Sequence, residues 1–122
     1  GANESGAIDD TDVREKVIDM NMNRLAFRLT AQRANEENKS GTPGASTSIF
    51  KLFGAALQQD GAELKREIMG FKGLGAAADE SFSAEELTAT EEWLHTKATT
   101  IYGGSNEIQA NIISKRVLGL PD

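Results

Sequence analysis

In the segment Ile18-Asp19-Met20-Asn21-Met22-Asn23-Arg24-Leu25-Ala26-Phe27-Arg28-Leu29, the large apolar residues Ile18, Met22, Leu25 and Leu29 recur at spacings of four, three and four. A chain winding at 3.6 residues per turn puts such positions on one face of a helix. Val13, Val17 and Met20 are read as widening that stripe, while Arg14, Arg24, Arg28 and Arg33 point elsewhere, to solvent or to a partner. Thr11 and Asp12 make a reasonable N-cap region. One long amphipathic helix is therefore predicted from about Asp12 to Glu37. Ser40-Gly41-Thr42-Pro43-Gly44 then breaks the pattern with the strongest local turn formers.

Working outward, the same period continues. A second helix is predicted from about Ser46 to Met69, with Ile49, Phe53, Ala56, Leu57, Leu64 and Ile68 on its buried side. Gly54 and Gly61 each weaken a helix by up to about 1 kcal/mol relative to alanine, so they are read as points of close helix packing. Gly70, Gly73 and Gly75 end that helix, and a small, polar loop runs through Glu80. Ser83 with Glu86 three residues on has the spacing of a capping box and opens a third helix. Leu87, Thr90, Leu94 and Lys97 share one strip of it, with Trp93 beside them. Gly103-Gly104 forces a turn, and Ser105 can cap a final helix whose inner face is Ile108, Ile112 and Val117. Lys115 and Arg116 complement the dipole of its last turn, and Gly119 and Pro121 stop it. No segment alternates with period two. The expected fold class is all-α, an antiparallel up-and-down helical bundle formed by residues 11–122 after a flexible end at 1–10.

The 122 residues amount to one domain, with 39% apolar and 26% charged residues, a composition that suits a globular chain. The sequence opens on Gly1 rather than methionine, as a cut or tagged chain would. With no cysteine and a single histidine, His95, neither a disulfide framework, a thiolate metal site nor a multi-histidine centre can form. The net charge of −6 argues against nucleic acid as a partner, since phosphate binding needs clustered Lys and Arg. No apolar run approaches the roughly 18 residues that span a bilayer, so no membrane is expected and a cytoplasmic location is the default. His95 has no evident partner for acid–base work. Glu85, Glu86, Glu91 and Glu92 read as a solvated helix face, and Phe50, Phe53 and Trp93 as core or seam residues.

Ile101-Tyr102-Gly103-Gly104-Ser105-Asn106-Glu107-Ile108-Gln109, continuing from Ala110 to Pro121 as ANIISKRVLGLP, resembles the closing signature of acyl-CoA dehydrogenases, approximately I-Y-[GE]-G-[TS]-N-E-I-Q-R-N-I-I-A-x-R-V-L-G-L-P. Ser48-Ile49-Phe50-Lys51-Leu52 is similar to that family's S-x-x-K-L helix, and Glu67-Ile68-Met69-Gly70 stands where a Q-x-x-G is frequent. The resemblance covers nearly the whole chain from Asp12. It implies the C-terminal helical domain of an FAD-dependent enzyme of fatty acid metabolism that oxidises the α,β bond of an acyl-CoA, with the bundle's first helix and the β domain missing. It further implies that Gly103, Gly104, Ser105 and Glu107 lie against FAD, Ser105 near the flavin or diphosphate and Glu107 near the adenosine end. Glu67 and Gly70 would touch the flavin of a neighbouring subunit in a tetramer.

The chemistry of the turn is compatible with that implication. Glycines let main-chain N–H groups approach a ligand, and a helix N-terminus offers unpaired donors to an anion. Glu107 would oppose a phosphate there, so a ribose hydroxyl suits it better. Three departures from the pattern matter. Gly103 stands where one branch of the family carries its catalytic glutamate, and the earlier helix that carries the base in other branches would lie upstream of Gly1, so no residue of this chain is expected to be catalytic. Ala110 replaces the usual arginine. Phe71 and Lys72 follow Gly70 where a second glycine is common. An isolated chain should be inactive and should associate with itself, as a dimer or higher, through the groove that an absent helix leaves. Two other readings fit the same residues: a domain of a related flavin oxidase or monooxygenase, such as an acyl-CoA oxidase or a nitroalkane oxidase, or a non-catalytic helical interaction module. Gly103-Gly104 alone would also serve as a plain interhelical turn.

Overall fold

The computed structural model describes residues 9–39, 46–75 and 80–121. Its first helix, α1, runs over Thr11–Lys39 and is capped by Asp10, whose carboxylate accepts from the backbone N–H of Asp12 at 2.8 Å and of Val13 at 3.3 Å. The cap thus lies one residue before the region expected. Helix α2 spans Ser46–Met69, and a tight 3-10 turn over Gly70–Leu74 reverses the chain. Helix α3 spans Ala84–Thr96 and relaxes into a 3-10 turn at Lys97–Thr100. Helix α4 spans Asn106–Ile112 and widens into a π turn at Ile113–Val117. All four helices foreseen are present, and no strand occurs among the described residues. The glycine-rich break at 40–44 and the end at 1–8 lie outside the described residues.

The capping box forms in full: Ser83 Oγ accepts from the Glu86 N–H at 3.3 Å, and the Glu86 carboxylate accepts from the Ser83 N–H at 2.8 Å. Reciprocal capping satisfies two donors that a helix start otherwise leaves unpaired. Ser105, by contrast, makes no side-chain cap to α4.

Helix α2 is the axle of the molecule, packing against α1 on one side and against α3, α4 and their flanking turns on the other. The α1 face it covers is not the one anticipated. Val13 and Ala34 are buried, Val17 and Met20 line the α1–α2 groove, and Phe27 meets the Phe50 ring edge-on at 5.7 Å. Ile18, Met22, Leu25 and Leu29 are instead 47–63% exposed. At 100° per residue the two sets form stripes on nearly opposite sides of α1, so Val13, Val17 and Met20 do not widen the Ile18 stripe; they form another. A single neighbour can cover only one. The covered side packs on glycine, where a Cβ at Gly54 would come within 3.2 Å of Phe27 and one at Gly61 within 2.8 Å of Arg24. Arg24 therefore lies along α2 rather than away from it.

Elsewhere too the core is narrower than the sequence pattern suggests. Ala55, Leu57 and Ala89 are buried, while Ile49, Phe53, Leu94, Ile108 and Val117 stand exposed. Polar residues complete the interior: Ser48, Thr96, Thr99 and Gln109 are buried as well. Trp93 is half-buried at the α2–α3 seam, with the Arg66 guanidinium 3.8 Å and the Lys97 ammonium 4.5 Å from its ring centroid. Its indole N–H donates to Glu63. This N–H, together with Lys97 and Arg66, holds the Glu63 carboxyl below the usual range against desolvation. The acidic face of α3 is partly engaged rather than wholly solvated, since Glu92 pairs with Lys65 at 3.0 Å and Glu86 with Lys72 at 3.5 Å.

Candidate functional site

A helix ends with carbonyls that lack partners, and α2 supplies donors for those at the end of α3. Gln59 Nε2 donates to Thr96 O at 2.9 Å and Lys51 Nζ to Thr99 O at 2.9 Å. The chain then turns through Ile101–Ser105. The N–H groups of Ile101 and Tyr102 both donate to Ala98 O at 3.0 Å. Gly103 and Gly104 take φ values of +71° and +101°, in the region that side chains disfavour. Ile101, Tyr102 and Gly103 are exposed, and Gly104 through Asn106 are half-buried.

The turn is fastened from beneath. Lys51 Nζ donates to Gly104 O at 2.8 Å, and the buried Gln109 donates through Nε2 to Gly103 O at 3.0 Å. A Cβ on Gly104 would meet Gln109 Nε2 at 2.7 Å, so only glycine lets that amide reach its carbonyl. Among the described residues, the N–H groups of Gly103, Gly104, Ser105 and Asn106 make no well-formed hydrogen bond. Asn106 Oδ1 is buried without a hydrogen-bond partner. Just beyond, the Ser105 hydroxyl and the Glu107 backbone N–H hold the Glu107 carboxyl below its ordinary range, against desolvation. The result is a partly exposed bend of weakly engaged main-chain donors, suited to an anionic or hydroxyl-bearing ligand.

Four of the six residues singled out in the sequence, Gly103, Gly104, Ser105 and Glu107, thus meet at this turn. Glu67 and Gly70 do not join them. With a rise of about 1.5 Å per residue, Lys51 beneath the turn and Glu67 lie about 24 Å apart along α2. Glu67 accepts from Lys16 at 2.6 Å, and Lys16 is shared with Asp12 at 2.6 Å; these two partners, Asp12 foremost, push the Lys16 ammonium above its usual range. Gly70 takes a positive φ of 57° at the end of α2 and leaves open space around itself. No group of three or more His, Cys, Asp or Glu is arranged to hold a metal ion among the described residues. No helix among them is long and apolar enough to cross a membrane.

Sequence reasoning passed over Lys51 and Gln109 as functional residues. Their signal is a polar side chain on an inward helix position, visible only once a neighbouring element supplies a carbonyl to receive it.

Comparison with known proteins adds a second line. The family description "Acyl-CoA dehydrogenase, C-terminal domain" matches residues 2–118. The chain is 35% identical over 120 residues to the acyl-CoA dehydrogenase IpdE1 of Mycolicibacterium smegmatis, covering 98% of this chain and 28% of that protein. It is 36% identical over 120 residues to IpdE1 of Mycobacterium tuberculosis, again 98% of this chain and 30% of that protein. The acyl-CoA dehydrogenase FadE34 of the same organism is 34% identical over 79 residues, 65% of this chain and 10% of its own length. The chain therefore spans less than a third of the length of these relatives. No solved structure matches it.

Proposed function

The chain belongs to the acyl-CoA dehydrogenase family, as its C-terminal helical domain, and from that premise we propose that it forms one wall of an FAD site in an enzyme that oxidises the α,β bond of acyl-CoA thioesters. The observation that carries this reading is the partly exposed bend Gly103-Gly104-Ser105-Asn106, whose N–H groups make no well-formed hydrogen bond and whose carbonyls are held by Lys51 and Gln109. Main-chain donors of that kind suit the diphosphate of a dinucleotide, and the buried, unpaired Asn106 Oδ1 can accept from a ligand hydroxyl. The Glu107 carboxylate accepts from the Ser105 hydroxyl, and as an acceptor it suits a ribose hydroxyl rather than a phosphate. When bound, FAD supplies the hydride acceptor of the reaction. This chain's part is to bind and orient, because Gly103 offers no carboxylate to remove the α-proton.

Two further parts of the reading concern assembly. The Ile18, Met22, Leu25 and Leu29 stripe is proposed as a seam with other copies, since an apolar strip with heptad-like spacing on a helix usually finds a partner. Glu67 and Gly70, remote from the turn in one copy, would then approach the site of a neighbour, with Glu67 exchanging Lys16 for a new contact.

Titration calorimetry tests the central claim. The 122-residue chain alone is expected to bind FAD weakly, because one wall of a site leaves most of the ligand in water. Sub-micromolar binding by this chain would contradict the division of labour. In a full-length dehydrogenase carrying this domain, Gly104→Val is expected to purify with most of its flavin absorbance lost. Unchanged flavin content would remove the turn from the site.

A further inference from the structure

We propose that Lys51 is the positioning residue of the turn, aiming the Ser105 N–H outward by holding the Gly104 carbonyl inward; this rests on the reading of the turn as a flavin-nucleotide contact. Lys51 sits on α2 and reaches across 53 positions of sequence to Gly104 O at 2.8 Å, and across 48 to Thr99 O at 2.9 Å. One ammonium therefore joins the chain where it enters the bend to the chain where it leaves.

The consequence follows from the planarity of the peptide bond. In a trans unit the C=O of one residue and the N–H of the next point in opposite directions, and no cis bond interrupts this chain. Fixing Gly104 O toward Lys51 therefore directs the Ser105 N–H away from it. Gln109 does the same for the preceding unit: with Gly103 O drawn to Nε2 at 3.0 Å, the Gly104 N–H is aimed away from Gln109. Each donor on α2 or α4 thus sets the direction of one particular turn amide. The two are not equivalent. A hydrogen bond from a charged donor is roughly twice as strong as a neutral one, and it polarises the peptide so that the opposite N–H becomes a better donor. The half-buried ammonium also brings positive charge under the bend, where an anion would sit. Neither consequence depends on a side chain of the turn itself, and this fits a bend made of two glycines and a serine.

Backbone 15N relaxation on the full 122-residue chain, with no nucleotide added, tests the assignment. In the unsubstituted chain Gly104 and Ser105 are expected to be as rigid as the helices, with order parameters of about 0.85. Lys51→Met is expected to drop Ser105 below about 0.6 and leave the core positions Ala55 and Ala89 unchanged. Gln109→Ala should release Gly104 more than Ser105, a split that general loosening would not produce. Ser105 staying rigid in Lys51→Met overturns the proposal. So does an equal loss at both amides in both variants. Should Lys51→Met fail to fold, Lys51→Gln, whose shorter amide cannot span both carbonyls, is held to the same criterion. A rigid Ser105 leaves the flavin reading standing. A mobile Ser105 in a variant whose full-length enzyme retains FAD as before would instead sink the flavin reading and leave Lys51's role intact.

Discussion

A methyl group added at Gly104 would lie 2.7 Å from Gln109 Nε2 and would have to tolerate a φ of +101°, whereas one added at Gly103 meets nothing closer than Lys51 Cε at 3.9 Å. The two neighbours are thus glycine for different reasons, and their substitutions should separate. Gly103→Ala carries only the conformational cost, about 1 kcal/mol. Gly104→Ala adds displacement of the Gln109 amide and loss of its bond, for about 2–3 kcal/mol in total. Urea denaturation midpoints check the ranking, and equal shifts would show that the Gln109 contact contributes nothing. That both positions must be glycine is legible in the sequence, because adjacent glycines before a capping-type serine announce a bend. The reason is not legible at Gly104, because the atom that crowds it belongs to a glutamine five residues on. Ser105 is the converse case. Its type and place suggest a cap, yet Glu107 two residues later offers its hydroxyl a charged acceptor, and the helix start is left open.

At the scale of elements, start signals that need only local residues were readable and those set by packing were not. The Ser83/Glu86 box formed as its spacing implied, and it leads to a pH prediction. The Ser83 N–H, the Ser83 hydroxyl and Lys72 depress the Glu86 carboxyl against a desolvation cost, and Trp93 does most to depress Glu63. A carboxyl lowered in the folded state adds stability that is complete above its ordinary value of 4.5 and disappears as pH falls below it through the folded value. Thermal midpoints should therefore fall on acidification below about pH 4.5, and Glu86→Gln should flatten that decline while lowering the midpoint at neutral pH. An unchanged acid limb in Glu86→Gln would show the box to be energetically idle. The facing of α1 is where pattern alone misled. Its two apolar stripes both satisfy helical spacing, and reading them as one broad face put the exposed stripe inward. What decides between them is α2, whose Gly54 and Gly61 admit Phe27 and Arg24 at short range.

Across the whole molecule, the unmatched stripe predicts association. Light scattering of the chain at high concentration should report a dimer or larger species, and Leu25→Glu, which places a charge in the middle of the exposed strip, should return it to a monomer without loss of helicity. A clean monomer before substitution would refute the seam. The all-helical class, the number of helices and the approximate limits of each were legible because periodicity and punctuation are local. Of the proposed site, the double-glycine bend was legible; the contacts that hold it are made by long-range pairs such as Lys51 with Gly104, which no local pattern encodes. One asymmetry in the packing reaches further. Since α2 is the sole substantial neighbour of α1 among the described residues, the first 29-residue helix can peel away as a unit while the other described elements keep their contacts. Its amides should exchange with deuterium through a partial opening well before those of Ala55 and Leu57, and in the opened form its vacated berth could accept the same helix from another molecule, so that crowding in storage or expression would breed intertwined pairs.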